Sequence, residues 1–186
     1  WLIEMKWKSN MENNNNTVII SGNCKWACLN EPNTTYAPVW SIQVLVDDNN
    51  RSVIENGFYD ENDGNYYPIP ISTNKDGEEV VTIKRKVDKA DGSKRNAPFV
   101  KDSQNNPWDK NTMIGNGSSV NVMARTWRWN HQQGKRFTTG ISADCVGVQV
   151  VDLIPYNSSG ATDFDVVPGG YVASTSTLDE DIPFAS

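Results

Sequence analysis

The sequence predicts an all-β domain: a five-stranded barrel of the OB-fold type with one short helix. Two observations lead to this fold class. Runs of β-branched and aromatic residues, broken by Asn, Gly and Pro, recur along the chain, and helix signals are nearly absent. The OB-fold is the commonest small barrel with five strands, whereas a β-sandwich is the main alternative that the same pattern allows.

Five long runs carry the strand signal, and two shorter extended pieces accompany them. The long strands are expected near residues 18–29, 38–47, 79–87, 118–129 and 135–154, and the shorter pieces near 66–71 and 97–101. Only NHQQG separates the last two long strands, so they are expected to form a hairpin. The one helix signal covers residues 49–58, where Asn50 is a candidate N-cap and Gly57 a stop signal.

A chain of 186 residues is long enough for one domain with a buried core. We expect this OB-fold domain at residues 12–157. Residues 158–186 contain no Lys or Arg, are rich in Ser, Thr, Gly and Asp, and show no periodicity, which predicts a flexible acidic tail. No window approaches the roughly 18 apolar residues of a membrane span, and the first residues lack the pattern of a secretory signal.

Cysteine and histidine are scarce. Three cysteines, Cys24, Cys28 and Cys145, are too few and odd in number for a disulfide scaffold, which favours a reducing cytoplasm. The three cysteines and His131 are the residue types that bind zinc, but buried free thiols are the preferred interpretation. The single His and the absence of a P-loop or His-rich motif argue against catalysis. We therefore expect no metal, no cofactor and no enzyme.

The net charge of -6 hides a strong asymmetry along the chain. Residues 1–79 hold 5 Lys and Arg against 12 Asp and Glu, net -7. Residues 80–140 hold 12 against 4, net +8, and residues 141–186 hold none against 7, net -7. A basic middle between acidic ends is typical of a polyanion site with an acidic tail, although ordinary solvated charge is the simpler alternative.

Alternation along the fourth long strand places two indoles and a guanidinium on one face. The inward side chains are expected to be Val120, Val122, Ala124 and Thr126. The outward ones are then Asn121, Met123, Arg125, Trp127 and Trp129. Unpaired bases stack on indoles while Lys and Arg neutralise phosphates, so this pattern predicts binding of single-stranded nucleic acid. Trp-lined sheets also bind sugars, and a carbohydrate-binding or virion-associated β-sandwich is therefore the alternative.

Cations of neighbouring strands complete the predicted site. Phe137 is expected to be a weaker third platform, sharing a face with Lys135 across the hairpin. Arg85 has the parity of the core residue Ile83, so it is expected to be paired or to emerge at the strand end. The full predicted DNA-binding set is Trp127, Trp129, Arg125, Arg128, Lys135, Arg136, Phe137, Lys84, Lys86 and Lys25.

The last ten residues, TLDEDIPFAS, form a second motif. Carboxylates keep this segment solvated, and Pro183 prevents a helix. Apolar anchors after a carboxylate run are typical of a docking peptide for a partner with a basic rim. The predicted partner-binding residues are Asp179, Glu180, Asp181, Ile182, Pro183 and Phe184.

These motifs resemble two families of single-stranded DNA-binding proteins. The segment DEDIPF is similar to the Asp-Asp-Asp-Ile-Pro-Phe tip of the bacterial proteins. The body resembles the proteins of T7-like phages: TWRWN (126–130) is similar to their Pro-Tyr-Lys-Trp-Asn, and IGNGS (114–118) to their Ile-Gly-Gly-Gly-Ser. Further matching pieces are VQVVDL (148–153), GYVAS (170–174) and, more loosely, the stretch 37–46.

The resemblance implies an OB-fold that coats single-stranded DNA without sequence preference during phage replication, recombination and repair, in the cytoplasm of the infected bacterium. It also implies that the acidic tail contacts replication proteins such as the polymerase and the helicase-primase, and that it allows a homodimer. No membrane partner is implied. Three features depart from these families: the long helix after the second strand shrinks to about 50–57, the tail is less acidic than that of the phage family, and Ala185 and Ser186 follow Phe184.

Overall fold

Five long strands and four short ones form most of the computed structural model, which describes residues 16–156. The elements are β1 (Thr17–Asn33), β2 (Val39–Leu45), α1 (Arg51–Glu55), β3 (Phe58–Asp60), β4 (Asn65–Tyr67), β5 (Ile71–Thr73), β6 (Glu79–Lys86), β7 (Phe99–Lys101), β8 (Ser119–Gln133) and β9 (Arg136–Asp152). Within these residues no helix has the length and apolarity to cross a membrane.

The long strands follow a Greek key. One sheet has the order β5-β6-β2-β1-β8-β9-β7, so β8 returns to lie beside β1 after the consecutive strands β1, β2 and β6. All neighbours are antiparallel except β7, which runs parallel to β9. This is the topology of the predicted five-stranded OB-fold, with β7 added at one edge and β5 at the other.

Strand β1 serves both halves of the barrel. Its first part pairs with β8 and its second part with β2, and the register shifts between Lys25 and Cys28. At this irregularity Trp26 adopts a φ of +51°, and its backbone N–H donates to the side-chain oxygen of Asn116 at 2.8 Å. The bulge lets a single strand bend from one sheet half to the other.

Inward side chains of the long strands build the core. Val120, Val122, Ala124 and Thr126 of β8 are all buried, as the alternation predicts. Trp40 of β2 is also buried. The helix is shorter than the 49–58 signal predicts: α1 spans Arg51–Glu55, and Asn56 already has non-helical backbone angles, with a φ of -104° and a ψ of 25°.

Asn50 occupies the predicted N-cap position but makes no side-chain cap hydrogen bond. Its amide nitrogen instead donates to the carbonyl oxygens of Ser21 and Leu45, at 3.0 and 2.8 Å. The buried amide thereby ties the start of α1 to β1 and to the end of β2.

The hairpin between β8 and β9 differs from the prediction. We expected a five-residue loop, but pairing continues up to Gln133 opposite Arg136, which leaves only Gly134 and Lys135 in the turn. Gly134 has a φ of +61°, as the first position of a two-residue type II′ turn requires. Strand β8 therefore runs four residues further than the sequence pattern indicates, whereas β9 begins one residue later.

The cysteines are all free. Cys24 and Cys145 are buried, and burial raises the pKa of their thiols to about 11 and about 12. His131 is exposed near the end of the β8–β9 hairpin. Among the described residues, no group of three or more His, Cys, Asp or Glu side chains is arranged to hold a metal ion.

Candidate nucleic-acid interface

The β8–β9 hairpin projects beyond the strand that supports it. Pairing between β1 and β8 ends at Thr17 opposite Arg125, so residues 127–142 form a two-stranded ribbon, called the arm below. Trp127 and Trp129 lie on one face of the arm with 44% and 38% of their surfaces exposed. Core indoles are mostly buried, so this exposure shows that the two rings are not core residues and are accessible to a ligand.

Trp129 lies directly over a glycine of the opposite strand. It pairs with Gly140, and a Cβ added there would lie 2.4 Å from Cζ2 and 2.8 Å from Cε2 of the indole. No side chain separates the ring from the sheet backbone. The indole is thus supported by the arm and keeps 38% of its surface exposed, as a stacking platform requires.

Phe137 does not extend this platform, and the sequence prediction for its face is wrong. It lies opposite Gln132, in the alternating set that contains Asn130 and Arg128, whereas Trp127 and Trp129 belong to the other set. Residues directly opposite in an antiparallel pair project to the same side, so Phe137 faces away from both indoles. The cause is the two-residue turn, because a change of register by one residue moves a side chain to the other face.

A groove of about 1210 Å³ lies between β6, the segment 88–96 and the base of the arm. Trp127 is among the residues that line it. Its lining includes seven cationic side chains and two carboxylates. The cations are Lys84, Arg85, Lys86, Lys89, Lys94, Arg95 and Arg125, and the carboxylates are Asp88 and Asp144.

Most of the groove's positive charge is not neutralised by ion pairs. Arg85 binds Asp144 at 2.8 Å, and Lys94 binds Asp88. The other five cations of the groove make no ion pair within residues 16–156. Such a concave cationic surface attracts a polyanion over a range set by the ionic strength.

Arg85 is paired, which is one of the two arrangements expected for it. Its guanidinium connects β6 to β9 through Asp144 and the carbonyl oxygen of Cys145, and also reaches the carbonyl oxygen of Asn96. Burial raises the pKa of Asp144, while the positive charges of Arg85, Arg95 and Arg125 act in the opposite direction. The side chain of Arg85 therefore closes the barrel at a position where no backbone pairing joins β6 to β9.

Two predicted DNA-binding cations are committed to ion pairs elsewhere. Arg128 pairs with the buried carboxylate of Asp60. Its guanidinium also lies 3.7 Å from the carboxylate of Asp63 and stacks on the ring of Tyr67, with 4.0 Å between the guanidinium carbon and the ring centroid. Lys25 binds Glu78 at 2.8 Å and Asp76 at 3.6 Å. The Glu78 and Asp76 pairs raise the pKa of Lys25.

The geometry therefore separates Arg128 and Lys25 from the exposed cationic surface. Arg128 fastens the base of the arm to the β3–β4 hairpin, and Lys25 fastens β1 to the β5–β6 turn. Sequence alone does not reveal either pairing, because the partners of Arg128 and Lys25 lie more than 50 positions away along the chain.

The remaining predicted residues fall into two groups. Lys84, Lys86 and Arg125 line the groove, whereas Lys135 and Arg136 are exposed at the tip of the arm. Sequence reasoning missed Lys89, Lys94 and Arg95. The basic run KRKVDKADGSKR (84–95) was the available signal. The predicted partner-binding residues Asp179 to Phe184 lie outside the described residues.

Comparisons with known proteins agree with this architecture. The fold is similar to that of gp2.5, a single-stranded DNA-binding protein encoded by bacteriophage T7, with a TM-score of 0.54 and 17% identity over 87% of this chain and 100% of that one. The chain therefore shares the OB-fold of this protein.

Other similarities are weaker. The single-stranded DNA-binding protein of bacteriophage Enc34 matches with a TM-score of 0.48 and 15% identity, over 80% of this chain and 87% of that one. A structure of the Enc34 protein in complex with single-stranded DNA matches at 0.46 and 14% identity, over 76% of this chain and 90% of that one. No protein-family model matches the sequence, and no curated protein matches it significantly.

Proposed function

We propose that the domain at residues 16–156 binds single-stranded DNA without sequence preference and has no catalytic role. The observation that carries this proposal is the junction of the cationic groove with the exposed indole of Trp127, next to Trp129. Phosphates follow the groove cations while bases stack on the indoles, and stacking tolerates any base because every base has a π-face. The shared fold with gp2.5 of phage T7 supports the proposal.

Titration of the full chain with poly(dT), followed by Trp fluorescence, tests this function. We expect quenching and an affinity that falls steeply with salt, since phosphate contacts release counterions. Trp127→Phe and Trp129→Phe should each remove part of the quenching. Quenching by oligosaccharides with little salt dependence, and no response to poly(dT), would instead identify a carbohydrate-binding module and refute the proposal.

We further propose that the protein acts during phage DNA replication, recombination and repair in the host cytoplasm, and that its acidic tail recruits replication proteins such as the polymerase and helicase-primase. The tip DEDIPF and the charge of the last 46 residues support this role. Deleting 175–186 should preserve or strengthen DNA binding and abolish capture of the phage polymerase. Capture that survives the deletion, or a deletion that unfolds the domain, would contradict the docking role.

A further inference from the structure

A second aromatic ring lies on a glycine of β9. Phe99 of β7 pairs with Gly147, and a Cβ added to Gly147 would lie 2.2 to 2.5 Å from three atoms of the phenyl ring. The ring nevertheless has 45% of its surface exposed. Phe99 therefore repeats the arrangement of Trp129 on Gly140: the ring lies against a glycine of β9 and still keeps much of its surface exposed.

Both glycines belong to the outward face of β9. Gly140 lies opposite Trp129, and Gly147 lies opposite Met123. The Met123–Gly147 pair is the next outward-facing pair after that of Arg125 with Asp144. Gly140 and Gly147 are an odd number of residues apart, so simple alternation would put them on opposite faces. The extra residue Val146 shifts the register, and Cys145 and Val148 on either side are both buried, so Gly147 faces outward like Gly140. The shift keeps Gly147, and with it Phe99, on the side of the barrel that carries Trp129 and Arg125.

We propose that Phe99 is a third base-stacking platform and that single-stranded DNA runs along the outer face of β9 from Trp129, past Trp127 and Arg125, to Phe99. This inference rests on the proposed DNA-binding function and deepens it. The glycines beneath Trp129 and Phe99 lie seven residues apart on β9, a distance of roughly 23 Å at about 3.3 Å per residue. Such a span fits the lower part of the range of about 4 to 16 nucleotides that single OB-folds occupy.

Charge and surface chemistry around Phe99 suit this path. Arg95, in the groove, lies four positions before Phe99, and Lys101 follows on the same strand. Ile19 of β1 lies opposite Met123, so a row of apolar side chains crosses the sheet beside the phenyl ring. Bases leaving Trp127 would thus find an apolar surface with cations beside it, as single strands require.

The proposal is tested with Phe99→Leu and Phe99→Tyr in the full chain, by measuring the affinity for oligothymidylates of about 4 to 16 nucleotides. Leucine keeps an apolar cover on Gly147 without a ring, whereas tyrosine keeps the ring. We expect Phe99→Leu to weaken binding of the longer oligonucleotides by about 5-fold to 100-fold. The shortest ones should bind as they do to the unaltered protein, and Phe99→Tyr should bind all lengths normally.

Phe137→Leu is the matched control, because Phe137 is equally a surface Phe but on the other face of the arm. Equal affinities of Phe99→Leu and the unaltered protein at every length would overturn the proposal and leave the ring as a cover for Gly147. Equal weakening at all lengths would also overturn it, since Phe99 would then define no separate end of the site. Failure of the unaltered protein to bind any length would refute the proposed function itself.

Discussion

Arg85 of β6 holds Asp144 of β9 at 2.8 Å across the open edge of the barrel, and both side chains belong to residues that line the cationic groove. The same carboxylate lies opposite Arg125 in the β8–β9 ladder. Asp144 thus places a negative charge where a DNA phosphate would approach Arg85, Arg95 and Arg125. The ion pair joins β6 to β9, and with the proposed DNA bound it would compete with the phosphates for Arg85.

Replacing this carboxylate should strengthen DNA binding. Asp144→Asn keeps the size and a hydrogen-bond acceptor for Arg85 but removes one negative charge from the groove. We expect a severalfold higher affinity for poly(dT) and a salt dependence steeper by up to about 0.7 in the slope of log K against log salt. Weaker binding would instead mean that Asp144 orients the arginines for DNA.

Removing either indole should weaken binding at every salt concentration. Trp127→Ala and Trp129→Ala each delete a stacking surface, which costs about 1–3 kcal/mol per base. Isothermal titration with oligothymidylate measures the loss. Phe137→Ala serves as the control: its ring faces away from both indoles, and a comparable loss there would contradict the observed register.

The support beneath Trp129 can be tested without touching the indole. Gly140→Ala introduces a Cβ that would lie 2.4 Å from Cζ2 of Trp129, so the ring must move off the arm. We expect a loss of DNA affinity close to that of Trp129→Ala, and the double variant should lose little more. Fully additive losses would show that glycine and indole act independently.

Groove cations and paired cations should differ in their salt response. Lys84→Ala and Lys86→Ala are each expected to reduce the salt slope by about 0.7, the value for one phosphate contact of a single strand. Lys25→Ala is the matched control, because Glu78 and Asp76 already neutralise Lys25. Binding measured from low to high salt distinguishes them; an equal reduction in the Lys25 variant would refute the distinction.

Arg128 is expected to stabilise the fold rather than to bind phosphate. Arg128→Ala leaves the buried carboxylate of Asp60 without its cation, so the midpoint of thermal unfolding should fall further than in Trp129→Ala. The salt slope of DNA binding should stay unchanged in the temperature range where the variant is folded. A flatter slope with normal stability would return Arg128 to the DNA-binding set.

The strand pattern of the sequence was sufficient to predict the five long strands and the inward face of β8. The physical reason is local: β-branched residues favour extended backbone, and alternation of apolar residues fixes which side is buried. The excess of cations in residues 80–140 could also be predicted to form a basic surface, because charge can be counted directly from the sequence. Trp127 and Trp129 could therefore be chosen from the sequence.

Tertiary structure decided the rest of the site. The two-residue turn, set by pairing up to Gln133 and Arg136, turned Phe137 away from the indoles, since strand register depends on contacts between strands and not on residue type alone. Distant folding partners removed Lys25 and Arg128 from the exposed cations. Phe99 reaches the same face as Trp129 only because β7 pairs with β9, a contact between residues nearly 50 positions apart.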